Sequence, residues 1–160
     1  MMKAQLETVT QKLIAGDLSA VDQLFESGID MNVAWDTGRT PLMLAASEGH
    51  NDLIVSLLAR GASVDAVGKN GMTALHEAAS NGHTAAANTL LDSGAAVDAE
   101  TTDGITPLMC AAAWGHLEVA QCLINRGAEI DRRDIRGATA EDIACEKGED
   151  RMVEFLQTAK

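Results

Sequence analysis

Apolar residues in this chain recur as two short runs per unit, each closed by a glycine. The first run carries a pair of small residues, at Ala45-Ala46, Ala78-Ala79 and Ala111-Ala112, with Ala144-Cys145 in the last copy. It stops at a Gly-His pair: Gly49-His50, Gly82-His83 and Gly115-His116. The second run closes on Leu57-Leu58, Leu90-Leu91 or Leu123-Ile124, then stops at Gly61, Gly94 or Gly127. Glycine takes the left-handed C′ conformation without a Cβ clash, so this pattern predicts pairs of short helices. The polar stretch that follows, such as 62–71 with Asp65, Asn70 and Gly71, predicts an exposed turn.

The units are strictly periodic. Three glycine series run Gly38, Gly71, Gly104, Gly137; Gly16, Gly49, Gly82, Gly115, Gly148; and Gly28, Gly61, Gly94, Gly127. Each advances in steps of 33 residues with no insertion, which is a repeat architecture. After the first series come Thr40-Pro41-Leu42, Thr73-Ala74-Leu75, Thr106-Pro107-Leu108 and Thr139-Ala140. Threonine is a good N-cap, and proline suits the first helical position because its missing N–H would be unpaired there anyway.

These residues resemble the ankyrin repeat, a β-turn followed by two antiparallel helices with T-P-L-H-x-A opening the first. The resemblance implies an all-α solenoid of stacked helix-turn-helix units with protruding β-turns or hairpins. It covers nearly all of 1–160 as one domain: a capping repeat at about 5–32, full repeats at 33–65, 66–98 and 99–131, and a capping repeat at 132–160. The first cap has lost the T-P-L element, and the last substitutes Glu141 and Asp142 and ends in charged turns. Terminal repeats that each present a polar face to water predict a complete, monomeric domain. The histidine of the family tetrapeptide survives only as His76, with Met43, Met109 and Asp142 in its place elsewhere. In the family that histidine ties neighbouring turns and the capping threonine, so its loss predicts looser turns on an intact fold.

Composition agrees with this reading. Aromatics are only Trp35, Trp114, Phe25 and Phe155, and a core of small apolar residues suits closely packed helices better than a sandwich or barrel. A net charge of −12 repels phosphate backbones and anionic lipid, which argues against nucleic-acid and membrane partners. Cys110, Cys122 and Cys145 are odd in number and lack C-x-x-C spacing, as expected of a cytoplasmic protein in a reducing compartment.

Candidate chemistry is sparse. His50, His83 and His116 form a column, but stacked helices lie roughly 8–10 Å apart and zinc needs ligands at about 2.0–2.1 Å. No metal or cofactor is expected, and the Gly-His position reads as structural. Cys110 and Cys145 fall on helix positions facing neighbouring helices, while Cys122 reads as partly exposed. None is paired with a base, so no enzyme activity is expected. Asn32 resembles the asparagine that hydroxylases modify in animal ankyrin repeats, but it also occupies the turn slot held by Asp65, Asp98 and Asp131, where Asn and Asp belong on their own merits.

The resemblance implies protein–protein recognition on a concave face built from turn tips and first helices. Carried over by register, the tips supply Trp35, Asp36, Arg39, Lys69, Asn70, Met72, Asp103, Ile105, Ile135 and Arg136, and the helix ends supply Asn81 and Trp114. No Lys or Arg lies between Lys69 and Arg126, whereas Glu77, Asp92, Asp98, Glu100, Asp103 and Glu118 do. This predicts an acidic middle and a partner with an apolar anchor and a basic segment. Two other readings stay open: a structural or engineered repeat scaffold with no dedicated ligand and, more remotely, an enzyme using Cys122 or the histidines.

Overall fold

The computed structural model describes the backbone of residues 2–159 and the side chains of residues 6–159. Met1 and Lys160, the outer bounds of the expected domain, lie outside the described residues, as does the side chain of Gln5 at the expected start of the first cap.

The described residues form ten α-helices and no strand: α1 (Met2–Ile14), α2 (Ser19–Ser27), α3 (Pro41–Ser47), α4 (Asn51–Ala59), α5 (Ala74–Ser80), α6 (Thr84–Asp92), α7 (Pro107–Ala113), α8 (Leu117–Asn125), α9 (Ala140–Lys147) and α10 (Asp150–Thr158). Each odd-numbered helix packs on the even-numbered one that follows it. The odd helices α1, α3, α5, α7 and α9 also pack on one another in order, forming an inner layer, and α2, α4, α6 and α8 form an outer one. The protruding segments are tight turns rather than hairpins of paired strands.

The inner helices α3, α5 and α7 have neighbours on three sides. Every residue of α3 is buried, and so is nearly all of α5 and α7. Such a helix can approach two flanking helices only if the facing side chains are small, which is why Ala45, Ala46, Ala78, Ala79, Ala111 and Ala112 are all fully enclosed. The outer helices contribute bulk instead, through Leu53, Ile54, Leu57, Leu90 and Leu123.

The Gly-His pairs form the joints between units. His50 Nε2 donates to Ile14 O at 2.7 Å, His83 Nε2 to Ser47 O at 3.0 Å and His116 Nε2 to Ser80 O at 3.1 Å. Each ring thus caps a carbonyl at the end of the preceding inner helix, which has no acceptor role left inside its own helix. The ring lies over the glycine of that preceding unit. A Cβ on Gly49 would come within 2.6 Å of His83, and one on Gly82 within 2.7 Å of His116. In the last unit Glu149 occupies the histidine slot and lies over Gly115.

A second set of joints runs along the turns. Asn32 Oδ1 accepts from Ser63 N at 2.7 Å, Asp65 from Ala96 N at 3.1 Å, and Asp98 from Glu129 N at 3.2 Å. Sequence reasoning assigned these Asx residues to their own turns. Their side chains instead satisfy a backbone N–H in the next unit, which the period brings alongside.

Gly82 and Gly148 separate the two demands on the glycine. Their φ values are 74° and 75°, but a Cβ on Gly148 would meet nothing within 4 Å among the described residues. Gly148→Ala therefore costs only the left-handed alanine, about 1 kcal/mol. Gly82→Ala adds overpacking against His116, at least about 1 kcal/mol more. Urea unfolding followed by far-UV circular dichroism should show the lower midpoint for Gly82→Ala; equal midpoints would mean that the imidazole does not need the space.

Candidate functional site

The threonines that open the inner helices fix the direction in which each turn projects. Thr40, Thr106 and Thr139 accept from the N–H of Met43, Met109 and Asp142, each at 3.3 Å. The third residue of the helix then answers the threonine's own N–H. His76 does so through Nδ1, which accepts from Thr73 N at 3.2 Å. Met43 Sδ accepts from Thr40 N at 3.3 Å, and Asp142 Oδ2 from Thr139 N at 2.8 Å. The local cap is thus kept without histidine.

The reach across to the next turn is a different matter. His76 Nε2 donates to Ile105 O at 2.9 Å, whereas a thioether or a carboxylate has no proton to give. Backbone bonds hold the turns in line all the same: Lys69 N to Gly38 O at 2.7 Å, Thr102 N to Asn70 O at 2.9 Å, and Ile135 N to Asp103 O at 3.0 Å. Fully enclosed, His76 is held below its usual pKa by desolvation, in keeping with a neutral ring that accepts at Nδ1 and donates at Nε2.

Between the turns and the inner helices lies a groove of about 440 Å³, lined by Thr37, Gly38, Arg39, Lys69, Met72, Glu77, Ser80, Asn81 and Trp114. Five of the residues expected at an interface meet here: Arg39, Lys69, Met72, Asn81 and Trp114. Trp114 closes α7 and is 64% exposed, the unusual condition of a large ring on an otherwise polar surface. Met72 is half-buried and packs against the core, as does Ile105, so neither projects from its tip.

Other expected residues go elsewhere. Trp35 is half-buried, packs against the core and shares a cleft of about 380 Å³ with Leu6, Glu7, Thr10 and Gln11 of α1, together with Asp36 and Thr37. It covers the first cap rather than facing the groove. Asn70, Asp103 and Ile135 are exposed on successive tips, Asn70 with a left-handed φ of 62°. Arg136 is tied to the buried Asp134 at 2.9 Å and to Glu146 at 3.5 Å.

Glu77 is the groove residue that sequence reasoning did not place at the site. Its side chain is 7% exposed, with Oε1 2.8 Å from Arg39 Nε. Asn81 Nδ2 donates to its backbone carbonyl at 2.9 Å. The signal was present in the register: the equivalent positions hold Leu44, Cys110 and Ile143, so a carboxylate there departs from an apolar column.

Half of the carboxylates in the acidic middle expected from composition are ion-paired in place. Glu77 pairs with Arg39, Asp92 with Arg126 and Glu100 with Arg132, each partner coming from an adjacent unit, and Asp98 accepts a backbone N–H. The clustered arginines of the last turn are engaged too, Arg132 also with Glu129 and Arg133 with Gly137 O.

The residues considered for chemistry have structural partners. His50, His83 and His116 hold the joints. Cys110 is buried, which pushes its thiol up to about 11. Cys122 Sγ donates to Asn88 Oδ1 at 3.2 Å, and burial raises its pKa as well. Cys145 corrects the expectation that it faces a neighbouring helix: it is exposed. Its counterparts Ala46, Ala79 and Ala112 are enclosed because a further inner helix packs on theirs, whereas among the described residues α9 packs only on α7 and α10. No helix among the described residues is long and apolar enough to cross a membrane.

A family model described as ankyrin repeats (3 copies) matches residues 11–101 and 93–160. Curated proteins named ankyrin repeat, SAM and basic leucine zipper domain-containing protein 1 are similar over a shorter stretch. The one from Equus caballus is 46% identical over 56 residues, and those from Dasypus novemcinctus and Mus musculus are 44% identical over 57. These alignments cover 35–36% of this chain and 12% of each relative, so the likeness spans about an eighth of those proteins.

The Arg39–Glu77 pair has a measurable pH signature. Burial lifts the Glu77 carboxyl above its ordinary 4.5, and Arg39 pulls it partly back. With a raised pKa, the folded state holds the proton where the unfolded chain has released it, so stability falls as pH rises from 4.5 through the folded pKa. Arg39→Ala lifts that pKa further and deepens the loss at neutral pH. Thermal melts should place Arg39→Ala below the wild type by about 1 kcal/mol near neutrality. The gap should close below about pH 4, where the carboxyl is protonated in both states. A gap constant across pH would remove Glu77 from the explanation.

Proposed function

The chain belongs to the ankyrin repeat family, and we propose that it is a protein-recognition module whose groove between turn tips and inner helices receives a segment of a partner protein. Ankyrin repeats are generally protein–protein interaction modules, and repeat arrays that stack with a small rotation create extended concave surfaces for that purpose. The observation that carries the reading here is Trp114. Its counterparts are Glu48 and Asn81, so the inner layer does not require a large ring at this position. It stands 64% exposed on the wall of the groove beside Met72. A large amphipathic ring on a rigid preformed surface is the commonest kind of interface anchor.

Arg39, Lys69, Met72 and Asn81 complete the contact surface, with Asn70, Asp103 and Ile135 extending it along the tips. Trp35 is assigned to the first cap. The free thiols support a reducing compartment such as the cytoplasm. No dedicated chemistry is assigned, since the histidines and Cys122 are occupied by structural bonds.

The test compares two exposed aromatics. Phe25 is 60% exposed on α2 in the outer layer, beneath the Arg60 guanidinium at 5.2 Å. Affinity capture from source cells with Trp114→Ala should lose a partner that both wild type and Phe25→Ala retain. Truncating an anchor of this kind costs at least about 2 kcal/mol, roughly thirtyfold in affinity. Equal retention by both variants would move the interface off the groove.

A further inference from the structure

The groove differs in charge from the molecule that surrounds it. The chain carries −12, yet the charged side chains lining the groove are Arg39, Lys69 and Glu77, two cations and one carboxylate. The carboxylate is already held by Arg39. Lys69 is exposed at the lip, and no carboxylate among the described residues lies within ion-pairing distance of it. Its stem is fixed, because Lys69 N donates to Gly38 O and its Cβ packs over Gly38.

Deepening the recognition reading and resting on it, we propose that the groove takes an acidic segment of a partner protein: an aspartate or glutamate carboxylate on Lys69, next to one large apolar side chain on Trp114 and Met72. The guanidinium of Arg39 has nitrogens to spare beyond the Nε given to Glu77. Arg39 lines the groove together with Lys69, so a second cationic contact is on offer to the carboxylate. Asn81 gives its amide N–H to Glu77 O, which leaves its Oδ1 as an acceptor for a backbone N–H of the bound segment. The ligand is therefore read by three chemically distinct contacts within one cleft.

Charge complementarity sets the sign. Surface charges more than about 8 Å away are screened at physiological salt, so the groups in contact with the ligand decide which ligand stays. A basic segment would be drawn to the acidic molecule as a whole, but in this groove it would lie against Lys69. Like charges held together at an interface are a strong bar to binding, and opposite ones fix register. Of the six carboxylates counted along the chain, Glu77, Asp92 and Glu100 are ion-paired across units, and the groove lining itself carries two cations to one carboxylate. The groove favours the opposite sign.

Random peptides displayed on phage and selected against the full chain provide the test. The expected peptides are rich in aspartate and glutamate and carry a phenylalanine, tryptophan or leucine. A fluorescein-labelled synthetic copy should lose about tenfold in affinity with Lys69→Glu, and selection on that variant should switch to lysine and arginine. Both Lys69 and Trp114 are exposed, and melting curves verify that their variants fold. Peptides rich in lysine and arginine that are lost with Trp114→Ala would overturn the acidic ligand while keeping the groove. Peptides indifferent to both Trp114→Ala and Lys69→Glu, or a selection that enriches nothing, would overturn the groove itself.

Discussion

Everything in this fold depends on a glycine that must be bare for two reasons at once. Its backbone turns left-handed to end an inner helix, and the imidazole of the following unit lies on the space that a Cβ would fill. The same imidazole caps the carbonyl that the helix end leaves unpaired. One contact therefore ends a helix, satisfies its terminus and sets the distance to the next unit. With that distance fixed, the alanine pairs fill the space between inner helices, and the turns come close enough to exchange backbone hydrogen bonds. The groove is a product of this spacing, because its walls come from different units.

The repeat, the helix pairs and their caps were legible because each is set by local rules in register: threonine before a helix, glycine after it, small residues where neighbours crowd. What was not legible depended on the neighbours themselves. Cys145 falls in an alanine column, yet it is exposed because no further described helix packs on α9 beyond α7 and α10. Asn32, Asp65 and Asp98 suit turns as a matter of propensity, and only the stacked geometry reveals that their acceptors serve the next unit. Glu77 was visible as a charge in the sequence, but its significance lay in the apolar column it interrupts. The first cap draws Trp35 inward, while Trp114 stays on the surface.

Charge shows the difference most sharply. A count along the chain finds a long acidic run and a late cluster of arginines, as though they were separate surfaces. The period folds them together, so that Arg126 meets Asp92, Arg132 meets Glu100 and Arg39 meets Glu77. Charges far apart in sequence cancel between neighbouring units, and the residual sign of any patch is decided by what remains unpaired. In the groove that residue is a lysine.

The bonds between units fall into two kinds. The histidine and Asx bonds recur at fixed offsets and read only the shared motif, so His116 could seat on Gly49 as well as on Gly82. Arg39 with Glu77 and Thr89 with Asn51 recognise one neighbour alone. The first kind is a coupling that any copy can use, and the second is an address. An array of this design can lengthen or shorten by whole units without breaking its joints, while a shuffled order would strand Glu77 beside the wrong tip. The generic joints give the molecule its evolvable length; a few side chains keep its parts in sequence.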